Sequence, residues 1–118
     1  MARKTALKRV ILEMGMGNDL HGSDYTKAAL RAVQDALHHS SMSLIGSLGL
    51  DIGKMQVAVT IGVQQPGAVD VERVRASLPY GVVTVTVVKG GLDVVGAQDT
   101  AVIANAGISV SLDMPQYG

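Results

Sequence analysis

Two-residue alternation of β-branched side chains is the feature that most narrows what this sequence can fold into. From Lys54 to Val63, Val57, Val59, Ile61 and Val63 alternate with Ala58, Thr60 and Gly62. From Val82 to Val88, Val83, Val85 and Val87 alternate with Thr84 and Thr86; further on, Ile108, Val110 and Leu112 alternate with Ser109 and Ser111. A period of two sends each apolar set to one face of a strand. The fold must therefore cover one face of a valine-rich sheet. The segment from about 24 to 39 can do this, because Ala29, Leu30, Val33, Ala36 and Leu37 recur at helical spacing. Lys27, Arg31, Gln34 and Asp35 take the other side of that helix, and Ser23 or Asp24 can cap it.

Around these elements, Val10–Met14 is a short strand ending at Gly15, with Val10, Leu12 and Met14 on one face and Ile11 and Glu13 on the other. Gln65-Pro66-Gly67 turns the chain, Asp70 caps a short helix from Val71 to about Leu78, and Pro79 and Gly81 close it. Val94-Val95 adds a short piece. Ser43–Gly53, rich in glycine, reads as a helical turn followed by a loop, and residues 1–7 as a tail. The order β-α-β-α-β-β predicts a single α+β domain, a mixed sheet with helices packed on one face. The other face keeps Thr60, Thr84, Thr86, Ser109 and Ser111, which a second subunit could cover.

Composition bears on partners. With no Phe, no Trp and three Tyr in 118 residues, the core gains little area per side chain, and association is a common remedy in small domains. A homo-oligomer is expected. Ten basic and ten acidic residues balance, so there is no footprint for nucleic acid. No apolar run is long enough for a membrane span. The lack of cysteine excludes disulfides and zinc–thiolate sites and fits a cytoplasmic location.

The chemically loaded segment is Gly15-Met16-Gly17-Asn18-Asp19-Leu20-His21-Gly22, read as a strand-to-helix loop. It fails the dinucleotide fingerprint, because Gly22 comes two residues too late. It fails the P-loop pattern too, because Ser23-Asp24 follows where Lys and Ser or Thr are needed. What remains is a carboxylate and an imidazole two residues apart. Asp19 can orient His21, whose near-neutral pKa suits acid–base work, and Lys27 can lean back from the helix. Alternatively, Asp19 caps the loop backbone and His21 hydrogen-bonds a neighbour. Glu13 is either a site carboxylate or an edge-strand charge. Glu13, Asp19 and His21 could supply metal ligands, though no spacing rule supports it, and no metal or cofactor is assigned. His38-His39 at the helix end is explained by the helix dipole. Asn105-Ala106-Gly107 and Lys89-Gly90-Gly91 read as loops that turn the chain or complete a pocket.

Here the sequence resembles the Lin-type conserved hypothetical proteins, whose hallmark Gly-x-Gly-x-Asp-x-His-Gly is met by Gly15, Gly17, Asp19, His21 and Gly22. Agreement extends through Thr26-Lys27-Ala28, Asp70, Pro79-Tyr80-Gly81, Gly90-Gly91 and Asn105; Ser40-Ser41 departs from an Asn-Ser pair followed by Leu-Pro. The resemblance carries no established activity. It implies a fold similar to chorismate-mutase-like and tubulin carboxyl-terminal domains, and assembly as a trimer or higher with clefts between subunits. Together these readings predict a small polar or anionic metabolite bound through Gly15, Gly17, Gly22, Arg31 and Asn105, with Asp19, His21 and Lys27 as candidate catalytic groups. The competing expectation is a non-catalytic assembly module whose glycine loop packs at a subunit interface.

Overall fold

The computed structural model describes residues 5–38, 52–78 and 80–115. The readings of Ser40-Ser41, His39 and most of Ser43–Gly53 lie outside them. The elements are β1 (Thr5–Asp19), α1 (Tyr25–His38), β2 (Gln56–Val63), α2 (Val71–Ala76), β3 (Val82–Lys89), β4 (Leu92–Val95) and β5 (Thr100–Pro115). The sheet runs β1-β5-β2-β3, with β4 added to β5 beyond the end of β2. β2 and β3 are parallel; the other pairs are antiparallel, so the sheet is mixed as expected. The two described α-helices cover the same face. Asp24 rather than Ser23 caps α1, accepting the Lys27 N–H at 3.0 Å, and Asp70 caps α2 through the Arg73 N–H at 3.2 Å. Thr26 ties the two helices together, its hydroxyl accepting the Asp70 N–H at 2.8 Å.

β1 and β5 are far longer than the sequence suggests. β1 begins inside the expected tail and continues through Gly15 and Gly17 to Asp19, paired residue by residue with β5. The supposed loop Asn105-Ala106-Gly107 lies in the middle of β5. The reason is packing. Gly15 and Gly17 face α1, against the row Ala28, Ala32 and Ala36, which is fully buried. A Cβ on Gly15 would overlap the Ala32 carbonyl oxygen and Ala36 nitrogen; one on Gly17 would overlap Ala32 N and Ala28 O. Strand and helix backbones are thus in direct contact. The glycines are packing residues within the subunit, which corrects their reading both as a ligand loop and as an interface loop.

Beside this contact lie Val57, Val59, Ile61 and Val63 of β2, with Val102, Ala104, Ile108 and Val110 of β5, all essentially buried under the helices. Among the described residues, no helix covers the opposite face. Its cross-strand rows are Leu12–Ser109–Ala58–Thr84, Met14–Gly107–Thr60–Thr86 and Met16–Asn105–Gly62–Val88. The unpaired edge of β1 is protected from its own helix: the Met16 N–H donates to Asp35 Oδ2 at 2.9 Å, and Arg31 Nη1 donates to the Asn18 carbonyl at 2.7 Å.

Gly17→Ala should therefore cost ~3 kcal/mol or more, since two backbones must separate to admit one methyl. Gly67→Ala, where a Cβ meets nothing within 4 Å, should change stability by less than ~0.5 kcal/mol. Urea unfolding of the two variants checks the contrast; equal midpoints would refute the close contact.

Candidate functional site

β1 ends at Asp19, and the short connection to α1 brings its last polar residues against the first turns of the helix. Asp19 lies on the helix side of the strand and is 5% exposed. Its Oδ2 accepts the N–H groups of Gly22 and Asp24, both at 3.0 Å. Its Oδ1 lies 3.8 Å from Arg31 Nη1 and 4.0 Å from Lys27 Nζ. The Asp24 N–H above all, then the Gly22 N–H and the two cations, hold the Asp19 carboxyl below its ordinary value of 3.8 against the opposing effect of burial. Gly22 is required locally, because a Cβ there would come within 2.8 Å of Asp19 Oδ2. The turn also holds Ser23 at φ 48°, a left-handed conformation unusual for a residue other than glycine.

His21 does not pair with Asp19. Its Nδ1 lies 3.3 Å from Oδ2 of Asp99, in the turn between β4 and β5, with the imidazole 83% exposed and the carboxylate half exposed. The acid that orients the imidazole is thus Asp99, and Asp19 shapes the loop. Sequence reasoning missed Asp99 because 78 positions separate it from His21 and nothing near it marks it out. Engaging Nδ1 leaves Nε2 as the nitrogen available for proton transfer.

These groups surround an open cleft of about 510 Å³, with Asp19, His21, Gly22, Lys27 and Arg31 among its walls and Asn18 and Asp24 beside them. Lys27 and Arg31 are each about half exposed, so both retain a solvent-facing side. Five of the expected site residues meet here; three do not. Gly15 and Gly17 lie under α1, and Asn105 points to the opposite face of the sheet, across from Met16 and Gly62. Glu13 is on the helix side but six residues back along β1, roughly 20 Å from Asp19 at strand rise. The three-ligand metal set is not assembled, and no group of three metal-ligating side chains occurs among the described residues.

Behind the cleft, on the same cross-strand row as Asp19 and Val102, Asp93 of β4 accepts a short 2.5 Å hydrogen bond from the Tyr25 hydroxyl. That bond, then burial, raises the Tyr25 pKa above 10.0. Tyr25 thus fixes the first turn of α1 to β4. No described helix is long and apolar enough to cross a membrane.

The Asp19 linkage has a definite sign. A carboxyl whose folded pKa is depressed contributes stability above its unfolded value, near 3.8, and loses it as pH falls through the lower folded value. Asp19→Asn should lower the melting temperature at neutral pH and make the acid side of the stability profile shallower. A melting-temperature difference from the wild-type protein that stays constant from pH 7 to strongly acidic solution would contradict the assignment.

A crystal structure from Nostoc punctiforme, described as an FtsZ-like protein of unknown function, is similar to this chain, with 37% identity over 94% of this chain and 100% of the other, and a TM-score of 0.82. No curated protein matches. The family of conserved hypothetical proteins designated Lin0512 matches residues 9–110, which takes in most of β1 and β5, all of α1 and the whole cleft. The chain belongs to that Lin0512 family.

Proposed function

We propose that this chain is the subunit of a homo-oligomer that binds a small polar or anionic metabolite in the cleft at the end of β1. The observation that carries the reading is the convergence of Lys27 and Arg31, each half exposed, on an open cleft beside an exposed imidazole. Asp19 is nearly buried and already satisfied by two backbone N–H groups, so it holds the two cations in place without occupying the space in front of them. An incoming carboxylate or phosphate would meet two cationic donors and His21. The chorismate-mutase-like arrangement implied by the sequence resemblance would set a neighbouring subunit at the rim of this cleft.

Acid–base catalysis on the bound molecule is a second reading, favoured by the His21–Asp99 pair. Its imidazole is oriented at Nδ1 and open at Nε2, the arrangement a general base needs.

Titration with inorganic phosphate and with succinate, followed by NMR of the His21 ring and the loop amides of Leu20–Asp24, tests the site. Saturable shifts are expected in the wild-type protein. Lys27→Met should weaken them about tenfold, the loss of one charge-assisted hydrogen bond, with unfolding unchanged. Absence of saturable shifts at millimolar concentrations, or identical titrations in Lys27→Met, would remove the anion reading. His21→Asn should leave the oligomer and the melting temperature intact while altering ligand binding; collapse of assembly instead would favour an assembly module.

A further inference from the structure

The uncovered face of the sheet carries apolar residues where an isolated subunit would be expected to carry charge. Leu12, Met14 and Met16 of β1 stand in a ridge, 52%, 73% and 58% exposed. Beside them β5 and β2 present Gly107, Asn105, Thr60 and Gly62, forming a groove of about 400 Å³ with Val88 on its far wall. None of the twelve positions in the three rows is charged. At strand and row spacings these rows cover roughly 400 Å² in projection. Side-chain relief, with the adjoining uncharged row Asn18–Ile103–Leu92, extends this toward the ~800 Å² per partner of a standard interface.

Gly107 gives the second indication. It sits in mid-strand, where glycine weakens a sheet, and a Cβ there would meet nothing of its own chain within 4 Å. Gly15 and Gly17 are explained by α1; nothing among the described residues explains Gly107. Close approach of another backbone or side chain explains it.

We propose that a second copy of this chain covers this face, the Leu12–Met14–Met16 ridge of each copy entering the groove floored by Gly107 and Gly62 in the other. Ridge and groove lie side by side on one surface, so a twofold axis satisfies both at once in an isologous contact. Methionine is suited to filling such a groove because its unbranched, polarizable side chain adapts to irregular space. An identical partner is favoured over an unlike protein by this self-complementarity and by the lack of any charge that would select another sequence. The contact uses the face and not the β1 edge, where Asp35 and Arg31 already hold the backbone of Met16 and Asn18. The proposal rests on the homo-oligomer reading above and adds which surface joins the subunits.

Sedimentation equilibrium at tens of micromolar tests it. The wild-type protein should have an even multiple of the 12.2 kDa chain mass, because a twofold contact pairs the subunits of whatever assembly forms. Met14→Lys combined with Met16→Lys should weaken association at least a hundredfold, with circular dichroism unchanged because both positions are solvent-exposed in the subunit. Gly107→Val should also weaken association while leaving the subunit folded. Val95→Lys, 80% exposed but turned to the other side of the sheet, should leave the mass unchanged. A monomeric wild-type protein would overturn the homo-oligomer reading together with this one. An oligomer that survives both the double lysine and Gly107→Val substitutions would overturn this surface alone, and neither result bears on the anion titration.

Discussion

The backbone contact between α1 and β1 is the constraint on which the rest of this molecule depends. Gly15 and Gly17 remove two side chains from the helix-facing side of the strand, and Ala28, Ala32 and Ala36 reduce the helix surface to methyl groups. With the axis drawn in this close, residues of α1 one step around from the alanine row reach past the edge strand. Arg31 and Asp35, four residues apart, then meet the unpaired backbone groups of Asn18 and Met16. The same approach sets the first turn of α1 over the end of β1, where Asp19 can accept the N–H groups that lead into the helix.

Asp19 is therefore both a structural and an electrostatic element. Two backbone N–H groups and two nearby cations keep it ionised although it is nearly buried, and its negative charge in turn restrains Lys27 and Arg31 at the mouth of the cleft. His21, two residues further along the chain, pairs instead with a carboxylate on the β4–β5 turn. The cleft is lined by one stretch of chain, from Asn18 to Arg31, and the β4–β5 turn reaches it only through the Asp99 contact with His21. The buried acid thus organises the loop and its cations, and the exposed acid partners the imidazole.

Much of the fold was legible in local pattern. The valine alternation in β2 and β3, the apolar stripe of α1 and the Asp70 cap each record a period or a hydrogen bond spanning a few residues. Within the loaded segment and the helix after it, His21, Gly22, Lys27 and Arg31 do meet Asp19 at one cleft. The errors share one origin. Gly15, Gly17 and Asn105-Ala106-Gly107 read as loops because small and flexible residues usually mark turns, whereas here the first two make room for a helix and the third group lies within a long antiparallel pair. Strand propensity is low in these stretches, and the β1–β5 ladder overrides it.

What the sequence determined by itself was the class of fold and the helix that covers the sheet, because each is written in residues close along the chain. Only the tertiary structure decided that the glycines are contact surfaces, that Asp99 and not Asp19 partners His21, and that Asn105 belongs to the uncovered face. Those assignments depend on which strands become neighbours and in what register, and register is set by the burial of a whole face at once. A carboxylate and an imidazole 78 positions apart carry no mark of each other until that burial has brought their turns together.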